Sequence, residues 1–121
     1  MAFRIKGRTA NEASQLHNDS DALADAGVFG IVMEGIVEPV AASIAKLSKV
    51  LTIGIGASAA CDGQILVTDD MLGLYDAFTP KFVRKFTNLQ DEISSAVECY
   101  CAAVIDGSFP AKDHLFLPKK I

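Results

Sequence analysis

Val28-Phe29-Gly30-Ile31-Val32-Met33, with Glu34 directly after it, is the stretch whose reading decides the fold. It is a continuous apolar run without the alternation of a half-exposed strand. Such runs suit parallel strands buried on both faces. Upstream, Thr9-Ala10-Asn11-Glu12 fits a capping box: the Thr9 hydroxyl can accept from the Glu12 amide, and the Glu12 carboxylate can reach back. Ala13, Leu16, Leu23 and Ala24 follow at helical spacing, with Asp19, Asp21 and Asp25 on the other side. Gly27 is placed to stop that helix. Downstream, Pro39 suits the first turn of a second helix, and Val40, Ile44 and Leu47 would pack it on a sheet. A second buried strand, Leu51-Thr52-Ile53-Gly54-Ile55-Gly56, comes next. Strand, helix, strand at this separation is a βαβ unit, and its two strands are expected to be parallel neighbours.

Gln64-Ile65-Leu66-Val67 is read as a third strand, ending at Asp69-Asp70. Phe3 to Lys6 is a short extended segment before the first helix. Met71 to Phe86 is read as short helical pieces. The last strong helix runs from about Leu89 to Asp106, with Asp91 and Glu92 favouring its first turn. Ile93, Val97, Tyr100 and Val104 form its apolar stripe and Gly107 stops it; the tail, with Pro110 and Pro118, is irregular. The fold class is therefore α/β. Three strands do not close a barrel, and eight strand-helix units take about 250 residues. The pattern leaves a small open sheet or the C-terminal half of something larger.

Composition narrows the function classes. The chain has 121 residues, half of them apolar, so it can bury a core and is not a disordered chain. Lys plus Arg is 11 against 15 Asp plus Glu, a net charge of -4. A general nucleic-acid surface needs a basic field, and the one basic cluster is Lys119-Lys120 in the tail. No apolar segment follows Met1 to make a secretory signal. The nearly uncharged stretch Val50 to Cys61 falls short of the roughly twenty apolar residues of a membrane span. A soluble, cytoplasmic protein is expected, with no nucleic-acid or membrane partner. Cys61, Cys99 and Cys101 give an odd count without C-x-x-C, hence no disulfide framework and no zinc signature.

Ligands of parallel α/β folds bind at the carboxyl ends of the strands. Glu34, Gly54 to Gly56 and Asp69-Asp70 fall there. A carboxylate directly after six apolar residues sits at the rim of a low-dielectric core, where desolvation makes it a usable base; the plain alternative is a solvated strand-end glutamate. Ile53-Gly54-Ile55-Gly56-Ala57 is only a weak match to a phosphate loop, and close backbone packing explains its glycines as well. Asp69-Asp70 could ligate a divalent ion, but a helix cap or surface pair accounts for adjacent acids more simply. His17 and His114 are read as solvated.

The same residues carry a family resemblance. Phe3-Arg4-Ile5-Lys6-Gly7-Arg8, Val32-Met33-Glu34-Gly35, Thr52-Ile53-Gly54-Ile55-Gly56-Ala57, Cys61-Asp62-Gly63-Gln64-Ile65-Leu66-Val67, Asp70-Met71-Leu72-Gly73 and Pro80-Lys81-Phe82-Val83 occur in this order. The chain resembles the C-terminal part of ketopantoate hydroxymethyltransferase (3-methyl-2-oxobutanoate hydroxymethyltransferase), over Phe3 to about Leu117. The resemblance implies that residues 1–121 are a single partial domain, the C-terminal half of a (β/α)8 TIM barrel of the phosphoenolpyruvate/pyruvate type. It implies transfer of a one-carbon unit from 5,10-methylenetetrahydrofolate to 3-methyl-2-oxobutanoate, giving 2-dehydropantoate in pantothenate biosynthesis. It also implies Mg2+ as Lewis acid and a homo-oligomer, a decamer in the family. The family's proton-abstracting glutamate falls in the motif matched by Val32-Met33-Glu34-Gly35, so the base role carries over to Glu34. The family's metal-binding acids belong to the N-terminal half of the barrel, so no metal ligand is assigned to Asp62, Asp69 or Asp70. Where the family usually has proline three residues after the glutamate, this chain has Val37, with Pro39 two places later. Met1 falls where a full enzyme would be in mid-barrel. A catalytically inactive remnant or assembly module of the family is the alternative reading.

Overall fold

A computed structural model describes residues 4–75 and 77–118. Phe3, at the start of the expected extended segment, and the basic pair Lys119-Lys120 lie outside the described residues.

The sheet is as expected in order and direction. Strand β1 (Gly30–Glu34) pairs in parallel with β2 (Leu51–Ile55), from Gly30 opposite Leu51 to Glu34 opposite Ile55. β2 pairs in parallel with β3 (Gly63–Gln64), giving the order β1-β2-β3. On the far side of β1 the Lys6 N–H donates to the Gly35 carbonyl at 2.8 Å and the Val37 N–H to the Lys6 carbonyl at 3.0 Å. The expected extended segment is thus a single bridge between Lys6 and Ile36 that continues the parallel order.

The third strand is shorter than the expected Gln64–Val67. Ile65 still donates to the Gly54 carbonyl at 3.0 Å, but Val67 already caps helix α3 (Thr68–Leu72). Asp69 and Asp70 fall in the first turn of that helix, where negative charge meets the positive end of the dipole. Gly73 ends it in the left-handed conformation, leaving one helical turn where short helical pieces were expected.

Helix α1 (Ala10–Asp25) begins as its sequence dictates: the Thr9 hydroxyl accepts the Glu12 N–H at 3.2 Å. The Glu12 carboxylate reaches back one residue further than a capping box requires. It accepts the Arg8 N–H at 3.0 Å and pairs with the Arg4 guanidinium at 3.0 Å. The Arg8 amide, aided by the charge of Arg4, holds its pKa below the ordinary carboxylate value. Helix α2 (Glu38–Leu47) has Pro39 in its first turn.

The core lies on one face of the sheet. Ile31 and Met33 of β1 pack with Ile36, Ala41, Ile44 and Cys61, and Leu16 and Val40 close the edges. This corrects the expectation of strands buried on both faces. Val32 alternates with the buried pair and is 59% exposed, and Glu34 is exposed as well. The helices cover one side of the sheet; on the other, Val32 and Leu51 are exposed while Ile55, opposite Glu34, is buried. In a closed barrel that second face would be the interior, filled by side chains from the remaining strands. Leu47, expected to pack, is 67% exposed.

Helix α4 (Leu89–Asp106) has the predicted extent and stops at left-handed Gly107. Its stripe of Ile93, Val97, Tyr100 and Val104 is about half exposed, and the helix buries none of its residues. The Gln90 N–H, donating to the Gly73 carbonyl at 3.1 Å, ties its first turn to the end of α3. The tail folds back on it: the Phe109 N–H donates to the Ala103 carbonyl at 3.0 Å, and the Phe109 ring packs edge-on against Tyr100 and beside His114. His114, read as solvated, is exposed but accepts the Ala111 N–H at Nδ1. His17 is half-buried. No described helix is long and apolar enough to cross a membrane.

Candidate functional site

Glu34 is the last residue of β1, and Ile55, its partner in the register, is the last of β2. The Gly35 N–H donates to the Ile55 carbonyl at 2.9 Å, so the two strand ends stop together. Glu34 and the Gly56 turn emerge at the same end of the sheet, as parallel pairing requires. Because side chains alternate along a strand, Glu34 lies on the face that the helices leave open. No described residue holds its carboxylate by a hydrogen bond or ion pair. On that face Val32, its neighbour along the strand, is largely exposed, whereas Ile55, its partner across the register, is buried.

Beside it, the loops that follow the strands enclose a cleft of about 770 Å3. Ile36, Val37 and Glu38 after β1, Gly56 to Ala59 after β2, and Gln64 at the end of β3 form its floor. Arg8 and Lys81 stand at its rim with Phe82. The Lys6 bridge to the end of β1 is what brings Ile5 and Arg8 here. Glu34 does not line this cleft.

The floor is held by polar contacts. Ser58, buried, donates its hydroxyl to the Glu38 carboxylate at 3.0 Å, and the Gln64 amide donates to the Ser58 carbonyl at 2.8 Å. The glycines of Ile53-Gly54-Ile55-Gly56-Ala57 serve close packing rather than a phosphate loop. A Cβ on Gly54 would meet the Gln64 and Cys61 side chains at 2.9 and 3.0 Å. At Gly56, with φ +59°, a Cβ would sit 2.7 Å from the Phe82 ring.

The residues present do not fit a magnesium ion. Among the described residues no three acids, histidines or cysteines converge on one point. Glu34 ends β1, Glu38 opens α2, and Asp69 and Asp70 are in α3. Asp62 is committed elsewhere: its carboxylate is hydrogen-bonded to Thr52, near the start of β2.

Sequence reasoning singled out Glu34 and the glycines but gave no role to Arg8, Glu38, Ser58 or Lys81. The available signal was their position. Arg8 and Lys81 sit inside the quoted motifs, and Ser58 lies in the loop three residues after the end of β2.

Comparison with known proteins gives a family. The family model described as ketopantoate hydroxymethyltransferase matches residues 1–112. The 3-methyl-2-oxobutanoate hydroxymethyltransferase of Brucella canis is 49% identical over 114 residues, 94% of this chain and 42% of its own length. The protein of the same name from Rhodospirillum centenum is 48% identical over 118 residues, 98% of this chain and 43% of its own length. The chain thus spans about two fifths of the length of the curated relatives it matches.

Proposed function

The chain belongs to the ketopantoate hydroxymethyltransferase family, and from that premise we propose that it forms the part of a 3-methyl-2-oxobutanoate hydroxymethyltransferase that carries the catalytic base. The observation that supports this is Glu34. It is the one acid that ends a strand of the sheet, and it lies on the face a closed barrel would turn inward. In this reading the Glu34 carboxylate takes the C3 proton of 3-methyl-2-oxobutanoate. The C–H electron pair passes into the enolate. C3 bonds to the methylene carbon of 5,10-methylenetetrahydrofolate while water supplies the hydroxyl oxygen and both C–N bonds to that carbon break; the C3 proton and one water proton go to the two nitrogens, releasing tetrahydrofolate and 2-dehydropantoate, on the route to pantothenate. A positioned base of this kind contributes roughly 10²–10⁴-fold.

Magnesium would be held by the remaining length of the protein, not by Glu34 or Glu38. The reading also makes the working enzyme a cytoplasmic homo-oligomer. Taken alone, the chain has one open sheet face and no carboxylate cluster among its described residues, so it is expected to be inactive by itself.

A chimera tests the assignment: the preceding part of the Brucella canis relative joined to this chain in the matching register. With 3-methyl-2-oxobutanoate, methylenetetrahydrofolate and magnesium, it should form 2-dehydropantoate, detected by NMR. A folded chimera that turns over neither in this direction nor in reverse would defeat the proposal and favour a non-catalytic member of the family.

A further inference from the structure

We propose that Ser58 is a positioning residue for the base: by clamping Glu38 it fixes the turn that aims Glu34. This deepens the reading above and rests on it. The aim of Glu34 is set by its backbone, since no described residue holds its carboxylate. On the strand side that backbone is tied down. The Gly35 N–H donates to the Ile55 carbonyl at 2.9 Å, and the Gly35 carbonyl accepts the Lys6 N–H at 2.8 Å. Gly35 then turns the chain toward α2 with φ +59°. On the helix side the anchor comes from elsewhere. Val37, at the N-cap of α2, makes no side-chain capping bond, the contact that commonly fixes a helix start. Glu38 does the holding instead. Its carboxylate accepts the Ser58 hydroxyl at 3.0 Å, from 20 residues further along the chain.

Ser58 is itself held firmly enough to carry that contact. It is 4% exposed, so its hydroxyl has little access to water as a substitute partner. That hydroxyl donates its single proton to Glu38 and accepts the Ala60 N–H at 3.0 Å. The Ser58 carbonyl accepts the Gln64 side-chain amide at 2.8 Å and the Cys61 N–H at 3.4 Å. The loop after β1, the loop after β2 and strand β3 therefore meet at one residue. A hydrogen bond to a carboxylate is also roughly twice as strong as one between neutral groups. Misplacing a reacting group by about 1 Å can cost 10²-fold in rate. A clamp on the turn beside Glu34 thus acts on the rate without touching the substrate.

Two readouts on the chimera test the assignment: deuterium exchange at C3 of 3-methyl-2-oxobutanoate, and amide hydrogen exchange at Gly35 and Val37. Ser58→Ala should lower the maximal C3 exchange rate about tenfold, the scale of one lost charge-assisted hydrogen bond. The half-saturating keto-acid concentration should stay unchanged, and the Gly35 and Val37 amides should exchange faster. Glu38→Ala should do the same, and the double variant no more than either change alone. Glu38→Gln keeps an acceptor for the hydroxyl and should recover most of the rate. Gly27→Ala, strained at φ +86° before the opposite end of β1, should lower the urea midpoint and leave C3 exchange unchanged. That control separates aim from stability. Overturning results are an unchanged rate in Ser58→Ala, additive losses from the two alanine changes, or an equal loss in Gly27→Ala. Absence of C3 exchange in the unsubstituted chimera would refute the base reading instead. The amides then still decide the clamp: unchanged protection of Gly35 and Val37 in Ser58→Ala refutes it, and lost protection upholds it.

Discussion

Asp62 holds the buried Thr52 from two directions. One oxygen of its carboxylate accepts the Thr52 backbone N–H at 2.8 Å and the Thr52 hydroxyl at 2.8 Å, and the Asp62 N–H donates back to that hydroxyl at 3.3 Å. Thr52 is fully buried in β2, and Asp62 directly precedes β3. The contact fixes where the loop that carries Ser58 returns to the sheet.

The first prediction is a pH dependence. The Thr52 amide, then the Thr52 hydroxyl, lower the Asp62 pKa below its ordinary 3.8. A folded-state pKa below the unfolded one means the unfolded chain binds the extra proton first. The stabilisation is therefore fully present above the unfolded value and is lost as pH falls through the folded one. Urea midpoints of the chimera should be flat from neutral pH down to about pH 5 and then decline. Asp62→Asn should lower the midpoint at neutral pH and flatten part of the acid decline. An acid decline identical in the Asn variant would remove Asp62 from the account.

A second prediction concerns Gly56. Alanine there must adopt φ +59° and place its Cβ 2.7 Å from the Phe82 ring. Strain of this kind costs about 1–3 kcal/mol. Gly56→Ala should lower the urea midpoint of the chimera accordingly, and adding Phe82→Ala should cost less in that background than in the parent. Strict additivity of the two changes would show that the ring does not lie over Gly56.

The third prediction is self-association of the isolated chain. Val32 and Leu51 are each 59% exposed on the open face of the sheet, and Ile93 and Val97 of the α4 stripe are about half exposed. Open strand edges and apolar faces of this kind associate. Sedimentation velocity should show a heterogeneous spread of aggregates that the chimera's barrel replaces with one discrete homo-oligomer. A monomer with sharp cooperative unfolding would contradict the partial-barrel account.

Much of the fold was legible in residues whose signal is local. Thr9 and Glu12 mark the start of α1, Pro39 the first turn of α2, and Gly107 the end of α4; the apolar runs at Ile31 and Ile53 give the parallel pair. What could not be read depends on partners distant in sequence. Val32 and Leu47 are apolar and were expected to be buried, yet burial requires a layer over them, and the described residues provide none. Val67 reads as strand until Thr68 starts a helix. The position of Glu34 at the strand end was legible; the cleft was not, because Arg8 reaches it only through the bridge from Lys6 to Ile36.

The most direct test is solvent deuterium incorporation at C3 of 3-methyl-2-oxobutanoate, followed by NMR, in the chimera carrying Glu34 and in its Glu34→Gln variant. The amide keeps the shape and removes the base. The account predicts exchange slowed by about 10²-fold or more, with keto-acid binding retained and no exchange by the isolated chain. Equal exchange rates in the two proteins would take Glu34 out of the mechanism.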